Sequence, residues 1–362
     1  MAQTLTRDAE TLSTQVGLVD VDIHPATASS EVLLPYLPER WHYRLSVHGP
    51  QGYPGSYYPR NSPQAARADS WPPSGLPAGA DLPFLREQLL DEWGIEFGIL
   101  NPLVGIHSPL VEYSAALATA VNDWLMAEWL EPEPRLRGSI VVPYEDGELA
   151  AAEIDRLGAD RRFVQVLLLA RTHEPLGKRR FWKIYEAAVR NNLPVGIHFG
   201  GSGGSPFTGA GWPSYYLEDH GGMPQAFEAQ LLSLVCEGVF EHFPTLQMVF
   251  IESGFAWLPS LLWRLDRAWE KLRDEVPHLS KPPSAYVREQ LWLTTQPMEE
   301  PSKPAFFLQL LEQLDMNDRL IFATDYPHWD FDAPDQAFPV RIPADLKRRI
   351  MAENAHSLYR LT

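Results

Sequence analysis

Asp22 and His24 are the first residues in this chain whose types and spacing could do chemistry. They lie in the run Leu18-Val-Asp-Val-Asp-Ile-His-Pro25, which is short, apolar and β-branched. In an extended strand residues i and i+2 point to the same side, so a carboxylate and an imidazole leave the strand end together. Both are good ligands for a divalent ion of the zinc or manganese type. Taken alone, the pair also fits a surface aspartate beside a strand-end histidine, so its weight depends on what stands at other strand ends. Those ends read Arg171-Thr-His173, His198-Phe-Gly-Gly, Glu252-Ser-Gly and Thr324-Asp325-Tyr-Pro-His328.

Such positions need a scaffold, and the sequence shows a repeating one. Residues 1–17 read as a tail. A first strand, 18–23, is followed by a long irregular stretch, 25–80, rich in Pro, Gly, Tyr and Ser. A connection of that length inside a compact domain is usually functional or disordered, and its aromatics favour function. From Asp81, a helix N-cap, the pattern becomes regular. Helices are expected at 81–93, 110–130, 146–157, 178–191, 224–241, 255–274 and 302–314. They lead to strands at 95–100, 138–142, 163–169, 194–199, 246–251, 290–294 and 319–323, and a helix at 343–352 closes the chain. The strands are continuous apolar runs, as expected where both faces are buried. Eight strand–helix units predict a closed (β/α)8 TIM barrel over residues 18–362, with 25–80 as a long insertion after strand 1. An open doubly wound sheet would normally carry a glycine-rich turn after its first strand, and Asp-Ile-His-Pro-Ala sits there instead. In a barrel the functional residues lie at the C-terminal ends of the strands, which places all the candidates on one rim.

Composition narrows the partners. The net charge is −17, so nucleic acid and anionic membrane, which need a basic face, are not expected. Hydrophobic residues make up 45% and charged residues 21%, enough for a sizeable core. The single cysteine, Cys236, permits no internal disulfide, and the polar N-terminus has no apolar core of signal-peptide type. The expectation is a cytoplasmic protein acting on a small molecule.

At these residues the sequence resembles the amidohydrolase superfamily, in its amidohydrolase-2 branch. The matching runs are Val19-Asp-Val-Asp-Ile-His24, Pro194-Val-Gly-Ile-His-Phe-Gly200, Val249-Phe-Ile-Glu-Ser-Gly-Phe-Ala-Trp-Leu-Pro259, Phe322-Ala-Thr-Asp-Tyr-Pro-His328 and Glu353-Asn-Ala-His-Ser-Leu-Tyr359. They span nearly the whole chain in the family's order. The resemblance implies that Asp22, His24, His198 and Asp325 hold one divalent metal ion, zinc first and manganese as the alternative. The family usually has His or Glu where Asp22 stands. Its binuclear branches place a bridging Lys at the end of strand 4, and 163–170 contains none, which implies a mononuclear site. Its decarboxylases usually carry a proton-transferring His on strand 6, where this chain has Glu252. A glutamate serves there as an acid or base only if burial or a neighbouring charge retunes it. The structural alternative is an ion pair with Arg264 or Arg267.

The chemistry implied is that of a metal with an open position, where a water becomes a nucleophile. Asp325 is placed to take and return the proton, with His328 supporting it or the substrate. Arg171 and His173 are candidates for a substrate carboxylate, since Arg suits a planar anion. Trp257, Trp329 and the tyrosines of 53–58 are candidates for an apolar pocket wall. Two enzymatic readings follow. Glu252 in place of His tilts the first toward hydrolysis of an amide, ester or lactone of a small organic acid. The second is nonoxidative decarboxylation of an aromatic or unsaturated ring acid. A non-catalytic ligand-binding barrel is a third reading, disfavoured because all four implied ligand positions carry competent side chains. The Trp-rich helix at 255–269, the helix at 224–241 and the family together suggest a homodimer.

Overall fold

The computed structural model describes residues 17–49, 65–104, 108–201 and 209–362. Eight parallel strands run in chain order: β1 Leu18–Ile23, β2 Ile95–Leu100, β3 Leu136–Val141, β4 Phe163–Leu169, β5 Val195–His198, β6 Met248–Ile251, β7 Leu291–Thr294 and β8 Leu320–Ile321. Each pairs with the next. Residues just past β8 return to β1: Val21 N donates to Phe322 O at 3.2 Å, Asp325 N to Asp22 O at 3.1 Å, and His24 N to Tyr326 O at 2.8 Å. The sheet is thus a nearly closed (β/α)8 barrel, as the strand–helix rhythm predicts.

β1 shows how the sequence divides inside from outside. Val19, Val21 and Ile23 belong to the main apolar cluster, while the alternate Asp20, Asp22 and His24 are buried polar groups. β1 therefore alternates rather than forming the apolar run expected when both faces are dry. Asp20 fastens the seam. Its carboxylate accepts from Thr324 N at 2.9 Å, Thr324 Oγ1 at 2.6 Å and Asp22 N at 3.2 Å. That ties the end of β8 to β1, where β8 itself contributes only two residues to the ladder.

Helix boundaries differ from the sequence expectation where glycine and capping intervene. The single helix expected at 224–241 is two, Met223–Cys236 and Val239–His242, because Gly238 adopts a left-handed φ of 79° between them. A short helix, Tyr216–Gly221, precedes them, and Pro283–Gln290 is a helix that periodicity did not single out. Within the insertion, Ser30–Tyr36 is a 3-10 helix and His42–His48 an α-helix. The tyrosines of 53–58 lie outside the described residues.

Candidate metal centre

The centre is built at the ends of β1, β5 and β8, and two backbone carbonyls fix which atoms face it. His24 donates Nδ1–H to the Asn101 carbonyl at 2.9 Å, and His198 uses Nδ1–H on the Phe199 carbonyl. Both imidazoles then present Nε2 inward. His24 Nε2 lies 2.8 Å from Asp325 Oδ1 and 3.3 Å from Asp22 Oδ1. His198 Nε2 lies 3.3 Å from Asp22 Oδ2. The two rings meet edge to face, with centroids 4.8 Å apart.

One ligand atom from each of Asp22, His24, His198 and Asp325 lies within 4.8 Å of the others, and all four residues are buried. With Nδ1–H committed to a carbonyl, a neutral imidazole offers only a lone pair at Nε2, and a carboxylate offers only lone pairs. Four acceptors facing one another repel unless a cation sits among them. Without metal, a proton on His24 does part of this work. Burial alone would lower that imidazole, but the charges of Asp22 and Asp325 and the hydrogen bond to Asp325 push it up to about 9. Two imidazoles and two carboxylates are a donor set suited to one divalent transition-metal ion.

Further groups hold these four in place. Asp325 has a left-handed φ of 63°. Its Oδ1 also accepts from His328 Nδ1 at 2.7 Å, and its Oδ2 from Gln296 Nε2 at 3.2 Å. Burial would raise its carboxyl, yet facing His328 and His24 hold it well below the usual carboxylate range. His328 stacks on His24 with centroids 4.5 Å apart. Asp22 Oδ1 accepts from Asn101 Nδ2 at 2.8 Å. Asn101 in turn donates to Val21 O at 3.1 Å and accepts from Ser139 Oγ at 2.6 Å and Gln165 Nε2 at 3.0 Å. Gln165 is itself held by Tyr359 OH at 3.1 Å, from the last helix.

Glu252, at the end of β6, also has a left-handed φ, 61°, and its carboxylate oxygen is 3.5 Å from His198 Nδ1. It joins Asp325 and His328 in a second convergent group. Burial first, then the charges of Asp325, Asp330, Asp22 and Asp219, raise its carboxyl well above the ordinary value. Among the described residues no ion pair joins it to Arg264 or Arg267, and Arg267 pairs with Glu270 instead.

The other candidates sit apart from this cluster. Arg171 faces Asp219 at 3.7 Å, and His173 is exposed. The Trp257 indole N–H is shared by the Ser253 and Gly254 carbonyls at 3.0 and 3.2 Å, which ties it to the turn after β6. Trp329 is 49% exposed and donates to Tyr216 OH at 3.1 Å. Asn101, Gln296, His220 and Asp330 are among the site-building residues that escaped the sequence reading. Asn101 follows β2 directly and Gln296 lies two residues past β7, each before a proline, so the strand-end signal applied to other strands would have found them. His220 and Asp330 carry no such signal, since they lie in the Tyr216–Gly221 helix and in the segment after β8.

An eight-stranded barrel with buried His and Asp side chains gathered at its C-terminal rim is an architecture suited to a metal-dependent enzyme, and the relatives below place the chain in the hydrolase or carboxy-lyase type. The chain belongs to the amidohydrolase family Amidohydro_2, which matches residues 19–361. It is 27% identical over 299 residues to a gamma-resorcylate decarboxylase of Polaromonas sp. (strain JS666 / ATCC BAA-500), covering 78% of this chain and 88% of that one. A gamma-resorcylate decarboxylase of Rhizobium sp. (strain MTP-10005) is 26% identical over 310 residues, with the same coverage. In fold it is similar to a 5-carboxyvanillate decarboxylase of Novosphingobium aromaticivorans complexed with manganese and 4-hydroxy-3-methoxy-5-nitrobenzoic acid. There the TM-score is 0.71 at 23% identity, over 99% of this chain and 100% of that one. It is also similar to a dihydroxybenzoic acid decarboxylase of Polaromonas sp. JS666 with bound manganese and 2-nitroresorcinol. That TM-score is 0.65 at 22% identity, over 95% and 97%. These relatives favour the second of the two enzymatic readings, decarboxylation, over hydrolysis.

Proposed function

We propose that this protein is a metal-dependent, nonoxidative decarboxylase of a hydroxylated aromatic carboxylic acid. The observation that carries the proposal is the convergence of Asp22, His24, His198 and Asp325 in a chain whose curated relatives are decarboxylases. The ion we propose is manganese, in keeping with the two manganese-bound decarboxylases of similar fold, in place of the zinc expected from sequence. Bound there, it supplies a positive charge for the substrate's oxygens.

The chain's own residues do the rest. Asp325 is fixed by His24, His328 and Gln296, so its carboxylate cannot swing away as substrate enters. Glu252, buried beside His198 and with no Lys or Arg ion pair among the described residues, is the group we assign to pass a proton to the ring carbon that loses its carboxylate. The ring carbon gains a hydrogen, the carbon–carboxylate bond breaks, and its electron pair restores the ring as carbon dioxide leaves.

The test is turnover of gamma-resorcylate and 5-carboxyvanillate by manganese-loaded protein, read as carbon dioxide release. We expect turnover that is lost on chelation. Glu252→Gln should retain manganese while kcat falls by about 10²-fold or more. Absence of turnover on both acids, with hydrolysis of a lactone or amide instead, would return the first reading to the lead.

A further inference from the structure

The Tyr216–Gly221 helix brings a second polar group, His220 and its partner Asp330, within one hydrogen-bonded link of the ligand cluster. His220 Nε2 lies 2.9 Å from Asp330 Oδ2. The same Asp330 oxygen accepts from Gln296 Nε2 at 3.1 Å, and that amide reaches Asp325 Oδ2 at 3.2 Å. The pair is thus anchored to the metal centre through one amide. Two aromatic rings enclose it: Trp329 lies 5.0 Å from the His220 ring and Tyr216 lies 5.9 Å from it. The His220 side chain remains 20% exposed, against 12% for Asp330.

An imidazole whose one nitrogen donates to a fixed carboxylate has a set tautomer, and the other nitrogen becomes a basic lone pair. This is the logic by which an aspartate prepares a histidine to accept a proton. Here Nδ1 is the nitrogen so prepared, beside an aromatic wall that would suit a ring. Among the described residues the charges that act most strongly on His220 are those of Asp330, Asp325 and Asp219. The hydrogen bond to Asp330, more than the burial that opposes it, holds the imidazole above its ordinary value.

Decarboxylation of a hydroxylated ring needs electron density pushed from the hydroxyl oxygen to the carbon that is protonated. A phenolic hydroxyl ordinarily ionises only near pH 10, so a base is required at neutral pH. We propose that His220, oriented by Asp330, is the general base that removes the proton from a ring hydroxyl of the substrate; this rests on the decarboxylase reading. The substrate O–H bond breaks and an N–H bond forms at Nδ1. The oxygen's electron pair moves into the ring, and the ring carbon takes its proton from Glu252. When carbon dioxide has left, the imidazolium returns its proton to the product oxygen. The net change is one proton taken up for one carbon dioxide released.

The experiment uses manganese-loaded wild type, His220→Gln and Asp330→Asn, with 2-nitroresorcinol as the probe, because its absorbance reports whether its hydroxyl is ionised. We expect the pH midpoint for ionisation of the bound probe to rise by about one pH unit or more in His220→Gln. On gamma-resorcylate kcat should fall about 10²-fold with manganese content unchanged. Asp330→Asn should show the same change in smaller measure, and it carries the test if His220→Gln does not fold. The loss should shrink on ring acids with a more acidic hydroxyl, which a merely structural role would not produce. Binding of the probe with an unmoved midpoint, together with kcat within about threefold of wild type, overturns the base while leaving the decarboxylase reading intact. Failure of the wild type both to bind the probe and to turn over either acid overturns the decarboxylase reading, and the base with it.

Discussion

Asn101→Leu removes the side chain that holds Asp22 while leaving the backbone carbonyl that holds His24. Asn101 is fully buried, and its amide makes four hydrogen bonds, to Val21, Asp22, Ser139 and Gln165. The bond to the Asp22 carboxylate is charge-assisted, of the order of 2 kcal/mol, and the Val21 carbonyl loses a partner at about 1 kcal/mol. Gln165 and Ser139 still bond each other at 2.8 Å, so their joint loss is roughly 1 kcal/mol. The sum is about 4 kcal/mol. An unfolding entropy of ~2.1 cal/mol/K per residue over 362 residues converts that to a fall in Tm of roughly 5 °C. Metal affinity should fall by about 10- to 100-fold, the usual effect of removing a group that orients a ligand. Thermal unfolding of metal-free protein and calorimetric titration with manganese measure the two separately. If affinity stayed within about twofold while Tm fell, Asn101 would be only a packing residue and Asp22 would not depend on it. If neither changed, the network running from Tyr359 to Asp22 would carry no energy.

Metal binding should release close to one proton per ion near pH 7.5, because His24 is raised to about 9 in the metal-free site and must bind as neutral imidazole. Calorimetry in buffers of different ionisation enthalpy counts it, and a release near zero would contradict the raised imidazole. The sign for stability follows from the same shift. A folded-state value above the unfolded one, near 6.5, stabilises metal-free protein fully below that pH, and the benefit is lost as pH rises through 9. Metal-free wild type should therefore lose more Tm between pH 6 and 9.5 than His24→Gln does. Gly201→Ala places a Cβ on a residue with φ of 95° and against the Arg171 carbonyl oxygen. It should cost of the order of 1–3 kcal/mol, read by denaturant unfolding. An unchanged midpoint would mean that the loop after β5 yields freely.

Most of the architecture is written in local pattern. Strand–helix rhythm placed β2 and β4 at their observed bounds, because buried parallel strands are recognisable as apolar runs between capped helices. Asp22, His24, His198 and Asp325 were legible as rim candidates because a barrel sends every strand's C-terminal end to one rim, while the choice of these four among the rim residues came from the family resemblance. The break at Gly238 was not legible, since the helical pattern continues through a glycine that only the backbone's turn puts to use.

What the tertiary structure alone decided is how those residues are charged and oriented. His24 does not show in its sequence neighbourhood which ring nitrogen faces the centre, because the carbonyl of Asn101, just past β2, settles it. Glu252 reads equally as an ion-paired structural carboxylate or a buried acid until the charges from three other segments are placed around it. His220 and Asp330 stand 110 residues apart, and no spacing rule joins them. Sequence fixes which groups are available and which element carries them. The electrostatic work each performs depends on groups brought near from distant segments, and that is set only when the barrel closes.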